Sequence, residues 1–132
     1  MKYLIFLFIF FASDEVLACQ CREQSFEAQI ENADFIYLGK ITHSSLVSDI
    51  DVSSQLEIIE ILKGKPDNLK LDSFAENHMC SVYAVTGLTY VVFGKHGETP
   101  RLNYCSPSKL LMKELTAEFE LKLKNLRDAT NK

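Results

Sequence analysis

Four cysteines carry most of the chemistry that this sequence offers: Cys19, Cys21, Cys80 and Cys105. Thiols in this number either ligate a soft metal or oxidise in pairs. Structural zinc wants paired C-x-x-C ligands, whereas the chain has one C-x-C, two isolated cysteines, and His43, His78 and His96 at no ligand spacing. Two disulfides are therefore expected. A bridge from Cys19 to Cys21 would close a strained loop, so the N-terminal pair is expected to reach Cys80 and Cys105, in either of two pairings. Either pairing encloses loops of roughly 60 to 90 residues, worth about 4 kcal/mol per bridge in the chain-entropy model. With Cys80 so committed, His78 and Met79 make a poor soft-metal pair, and their segment reads as an exposed loop. There is no Ser/His/Asp order, glycine-rich phosphate loop or H-E-x-x-H, nor a pair of carboxylates in a cleft-like context. The expectation is a protein that is not an enzyme, with no catalytic residue, no resident metal and no cofactor.

The first twenty residues explain why the cysteines oxidise. Lys2 precedes an apolar run from Tyr3 to Ala12, followed by a polar break and the small-residue site Val16-Leu17-Ala18, which is a signal-peptide layout. The run is about half of what a helix needs to cross a bilayer core, and no spanning stretch follows it, so no transmembrane segment is expected. Residues 1–18 are expected to be removed, leaving a single secreted domain over 19–132, extracellular or periplasmic. Cleavage after Ala18 would put the α-amine and carbonyl of Cys19 on one backbone unit clamped to the core. Such an amine has an unperturbed pKa near 8, so a fraction is neutral at physiological pH and can donate to a metal. Catalytic zinc in metalloproteases keeps one position open for water or substrate, and a clamped amine and carbonyl fit that position in trans.

Along the chain, Ser25 caps a short predicted helix that runs to about Asn32, with Glu27 in its first turn. Phe35 to Ile41 reads as the first strand and the polar stretch His43 to Ser54 as a connecting loop. Gln55 to Leu62 reads as a strand whose apolar phase shifts between Leu56, Ile58 and Ile59, Ile61, the signature of a bulge, with a helix as the alternative. The turn-rich Gly64 to Asn68 leads to a third strand within Leu69 to Phe74. Thr89 to Phe93 is the most apolar segment after the leader and reads as a central strand, followed by a turn at Gly94 to Gly97 and a fifth strand at Arg101 to Cys105. Ser106 as cap and Pro107 at the first helical position open a long C-terminal helix predicted over 107–127, with Leu111, Leu115, Phe119, Leu123 and Leu126 on one stripe. The fold class is mainly β with flanking helices, a small barrel or sandwich.

Several segments together resemble the netrin-like domains, and among them the tissue inhibitors of metalloproteinases. They are Cys19-Gln20-Cys21, Phe26 to Gly39, Leu56 to Gly64, the lone Cys80, Tyr90 to Phe93 and Asn103-Tyr104-Cys105-Ser106. The resemblance spans nearly the whole of 19–110, and the cysteine placement is its specific part. It implies a five-stranded OB-type β-barrel with Cys19 bridged to Cys80 and Cys21 to Cys105. It also implies that Cys19 chelates the protease zinc and that Gln20 enters the specificity pocket. The chain departs from the inhibitors in having Gln20 where they usually carry a small hydroxyl residue. It also lacks their further bridge within the barrel and the second domain of animal members.

Composition narrows the alternatives. The formal charge is -4, with 14 basic and 18 acidic residues interspersed, so nucleic acid is not an expected partner. Beside a zinc metalloprotease inhibitor stand a non-inhibitory extracellular interaction module and a lipid-anchored envelope protein, since Val16-Leu17-Ala18-Cys19 partly resembles a lipobox. Lipidation would consume the Cys19 thiol and leave an odd cysteine in an oxidising compartment. A monomer is expected.

Overall fold

The computed structural model describes residues 19–75, 80–111 and 117–132; the expected leader, 1–18, lies outside them, as do His78 and Met79. Ser25 Oγ accepts the amide of Ala28 at 3.1 Å and starts helix α1, Phe26–Asn32. Strands β1 (Phe35–Leu46), β2 (Asp51–Lys63), β3 (Lys70–Phe74), β4 (Thr89–Gly94) and β5 (Lys109–Leu110) follow, and helix α2 (Ala117–Thr130) ends the chain. The five strands form one antiparallel sheet in the order β3-β2-β1-β4-β5.

β1 is the central strand, buried on both faces, and this is why its first residues form a near-continuous apolar run. On one face Ile36, Leu38, Leu62, Val91 and Phe93 pack with Ala33 and with Leu123 and Leu126 of α2, flanked by Phe26 and Ile30 of α1. On the other, Phe35, Tyr37, Ile41, Leu56, Leu71, Tyr90, Val92 and Leu102 form a second cluster. The phase shift read in β2 is a real irregularity: Leu38 faces Glu60 while Gly39 faces Ile58, so Ile59 is bypassed and stands exposed.

Three expectations need correcting. Residues 43–54 are not a loop. They form the far half of a long hairpin, His43 facing Gln55 and Leu46 facing Val52, and β3 closes the other side of β2 along Asp51 to Gln55. Pairing on both sides of β2 overrides the polar composition, and Ser44 and Ser54 join by their hydroxyls at 2.8 Å.

The fifth strand is not Arg101 to Cys105. That segment makes only isolated bridges, Arg101 parallel to Asp72 and Asn103 antiparallel to Ser81. Asn103 Oδ1 then accepts the amide of Cys105 at 2.9 Å and turns the chain out of the sheet. The strands therefore form an open sheet rather than a closed barrel, edged by β3 and β5.

The helix expected over 107–127 does not begin at Ser106-Pro107. Ser108 Oγ accepts the amide of Phe93 at 3.0 Å, Tyr90 faces Leu110, and the amide of Leu111 reaches the carbonyl of Thr89 at 2.8 Å. The edge of β4 captures this segment as β5, because leaving buried β4 amides unpaired costs more than the cap at Ser106 gains. Of the expected helical stripe, Leu115 lies outside the described residues, while Leu123 and Leu126 are buried against the sheet.

Candidate functional site

Two disulfides tie residues 19–21 to turns outside the sheet: Cys19–Cys80, with Cα atoms 5.6 Å apart, and Cys21–Cys105, with Cα atoms 5.2 Å apart. Among the described residues no cysteine is free. Gln20 sits between the two bridges and is exposed, while Cys19 and Cys21 are half-buried. The two anchors are themselves tied together. The amide of Tyr104 donates to the carbonyl of Cys80 at 3.0 Å, and Ser81 bridges Asn103. Asn103 turns the loop 103–106, its side chain accepting the Cys105 amide at 2.9 Å and its carbonyl the Ser106 amide at 3.1 Å. Three consecutive residues, 19–21, are thus fixed by covalent bonds on both sides of one exposed side chain.

The sequence locates the cysteines and Gln20, and Asn103 only within the segment that carries the resemblance; that Asn103 and Ser81 join the anchors is not legible in it. An asparagine two residues before a cysteine is an Asx-turn signal, and it is the one local clue to this loop. Tyr104, 70% exposed, stands on that same loop.

The histidines fall apart in space. His43 lies exposed on β1 rather than in a loop. His96 is exposed but engaged, its Nδ1 3.3 Å from Asp67 Oδ2 and its amide donating to Asp34 Oδ2 at 3.0 Å. Asp67 also accepts the amide of Gly97 at 3.0 Å. That backbone bond, helped by His96, holds the Asp67 carboxyl below its ordinary range. These contacts staple two turns and leave the clamp untouched. Among the described residues no three metal-ligating side chains converge.

A cleft of about 540 Å³ opens beside α1, between Gln29 and Asn32 on one wall and Lys95, Glu98 and Arg101 on the other. None of the cysteines nor Gln20 lines it, so it is separate from the clamp. Among the described residues no helix is long and apolar enough to cross a membrane. No family model matches the chain, and a search of characterised proteins returns no significant match.

Proposed function

We propose that this chain is a secreted netrin-like domain, its sheet an OB-type arrangement in which the edge strands β3 and β5 do not pair with each other. Within that class we read it as an inhibitor of zinc metalloendopeptidases. The reading rests on one observation: Gln20 is exposed between two residues that are each disulfide-bonded to the core of the chain, at the turns of Cys80 and Cys105.

The mechanism follows from that geometry and from cleavage after Ala18. The α-amine and carbonyl oxygen of Cys19 lie on one residue and close a five-membered ring on a metal ion. They displace water from the open position of the protease's zinc, while Gln20 enters the adjoining pocket. An unperturbed α-amine has a pKa near 8, so a neutral, coordinating fraction of such a group is accessible at neutral pH. Because the two bridges fix residues 19–21 before binding, little ordering entropy is lost on association, and rigid presentation of few atoms suffices.

The test compares the native chain starting at Cys19 with a form carrying one extra alanine before it. An intact-mass and peptide map first establishes the start at Cys19 and both bridges. The native form is expected to inhibit a zinc endopeptidase from a representative panel, and the extended form to lose inhibition with its fold unchanged. Equal behaviour of the two forms would falsify the mechanism. A lipid adduct on Cys19 would replace it with membrane anchoring.

A further inference from the structure

We propose that the long hairpin of β1 and β2 is a self-association surface, pairing with the same hairpin of a second copy of this chain. β4 accompanies β1 only as far as Lys40, which faces Thr89. The last backbone bonds on that side run from Ile41 N to Leu88 O at 3.0 Å and from Gly87 N to Ile41 O at 2.8 Å. Beyond them, among the described residues, His43 to Leu46 pair with β2 alone, and the opposite side of β2 is already taken by β3. The outer edge of β1 over these four residues is an open strand edge. Strand edges of monomeric proteins are usually blunted by charge, proline or a bulge. His43-Ser44-Ser45-Leu46-Val47 has no carboxylate, lysine, arginine or proline, and the irregularity of β1 between Ile41 and His43 precedes the open stretch, with His43 to Leu46 then pairing with β2 in unbroken register.

The two ends of this edge are apolar and exposed. At the tip, Leu46, Val47 and Ile50 are 69%, 63% and 52% exposed, and at the base Val85 and Leu88 are 47% and 41% exposed. The base turn is tied to the hairpin by Thr86 Oγ1 on Ser44 Oγ at 3.4 Å, so tip and base hold a fixed spacing. That arrangement selects the occupant. In an antiparallel two-fold pairing of the edge with itself, each tip lies against the other copy's base. Apolar surface then meets apolar surface twice, and the intervening backbone groups bond across the axis. A strand from an unrelated protein would have to bring this complement; here one chain carries both halves in the required order.

Sedimentation velocity and light scattering on the disulfide-intact exported chain test the pairing. The native protein is expected to be a concentration-dependent dimer. Val47→Lys at the tip and Leu88→Glu at the base each substitute an exposed residue and are expected to raise the dimer dissociation constant about tenfold or more, with unchanged circular dichroism. The double variant V47K/L88E, in which each lysine faces the other copy's glutamate, is expected to recover most of the affinity. A native protein that stays monomeric at every soluble concentration overturns the proposal. So does a dimer indifferent to either substitution, or a double variant no better than the two singles combined.

Discussion

The ring of Phe35 lies against Gly94 across the β1–β4 pairing, so closely that a Cβ built at position 94 would stand 2.1 Å from Phe35 Cζ. The ring is fully buried and stacks on Tyr37 with centroids 6.0 Å apart, so it has nowhere to retreat. Gly94→Ala is therefore expected to destabilise the domain by about 1–3 kcal/mol through overpacking. Phe35→Leu should cost less when combined with Gly94→Ala than it does in the native chain, because the smaller side chain relieves the same clash. Urea denaturation of the four proteins checks this, and strictly additive losses would refute the contact.

Tyr37 is fully buried, and its hydroxyl has no hydrogen-bond partner among the described residues. Burial pushes its pKa up to about 12. An unpartnered buried donor is a liability, so Tyr37→Phe is expected to be neutral or to stabilise by roughly 1 kcal/mol. The pH dependence has a definite sign. In the unfolded chain the phenol ionises near 10, so the unfolded state binds fewer protons above that pH. The contribution of Tyr37 to stability is complete below about pH 10 and falls as pH rises toward 12. The Phe variant should flatten the alkaline limb of the stability curve over this window; an unchanged limb would count against the assignment.

Asp67 holds the turn at 94–97 through the Gly97 amide and His96. Its carboxyl is held below the usual range, chiefly by the Gly97 bond. A lowered folded pKa means that the stabilisation is present above the ordinary carboxylate pKa and is lost as pH falls through the folded value. The protection of the Gly97 amide, its slowing of exchange relative to the intrinsic rate at the same pH, should fall at acid pH in the native protein, and Asp67→Asn should show the lowered protection already at neutral pH. Protection at Gly97 unaffected by both changes would remove this role.

Which of these relationships the sequence discloses depends on how local their cause is. The bulge at Ile59 is legible because an apolar phase shift is written into consecutive residues. The strand character of 43–54 is not, because Ser44, Ser45, Ser53 and Ser54 are polar and only pairing with β1 or β3 makes them strand. Ser106-Pro107 is a sound helix start by composition, yet the amides of β4, far away in sequence, take residues 108–111 instead. At the clamp, the cysteines announce themselves by type and count. Their partner choice, and Asn103 as the residue that shapes the second anchor, are settled by tertiary contacts.

Arg127 of α2 grips Glu60 of β2 with two parallel bonds, Nε to Oε1 at 2.8 Å and Nη2 to Oε2 at 3.0 Å. Both side chains are more than a third exposed, so water screens the pair, and its coupling is expected to be about 0.5–1 kcal/mol despite the good geometry. A double-mutant cycle with Arg127→Ala and Glu60→Ala should return that value at low salt and a smaller one at high salt. A coupling that salt leaves unchanged would mean that the contact acts by packing of the arginine stem instead.

Removing the Cys21–Cys105 bridge separates the two jobs of the clamp. The bridge spans 84 residues of sequence, so a Cys21→Ser, Cys105→Ser variant is expected to lose about 4 kcal/mol of stability, an amount a domain of ordinary stability of about 5–15 kcal/mol survives. Cys19 stays joined to Cys80, and the atoms proposed to chelate zinc are unchanged. What changes is that Gln20 is then held on one side only, so the segment 19–21 must be ordered on binding rather than before it. If the proposed inhibition depends on rigid presentation, the variant should remain folded by circular dichroism and inhibit about tenfold or more weakly, the loss falling mainly on the dissociation rate. Inhibition at full strength by the folded variant would show that a single anchor at Cys19 is enough and that the second bridge serves the fold alone.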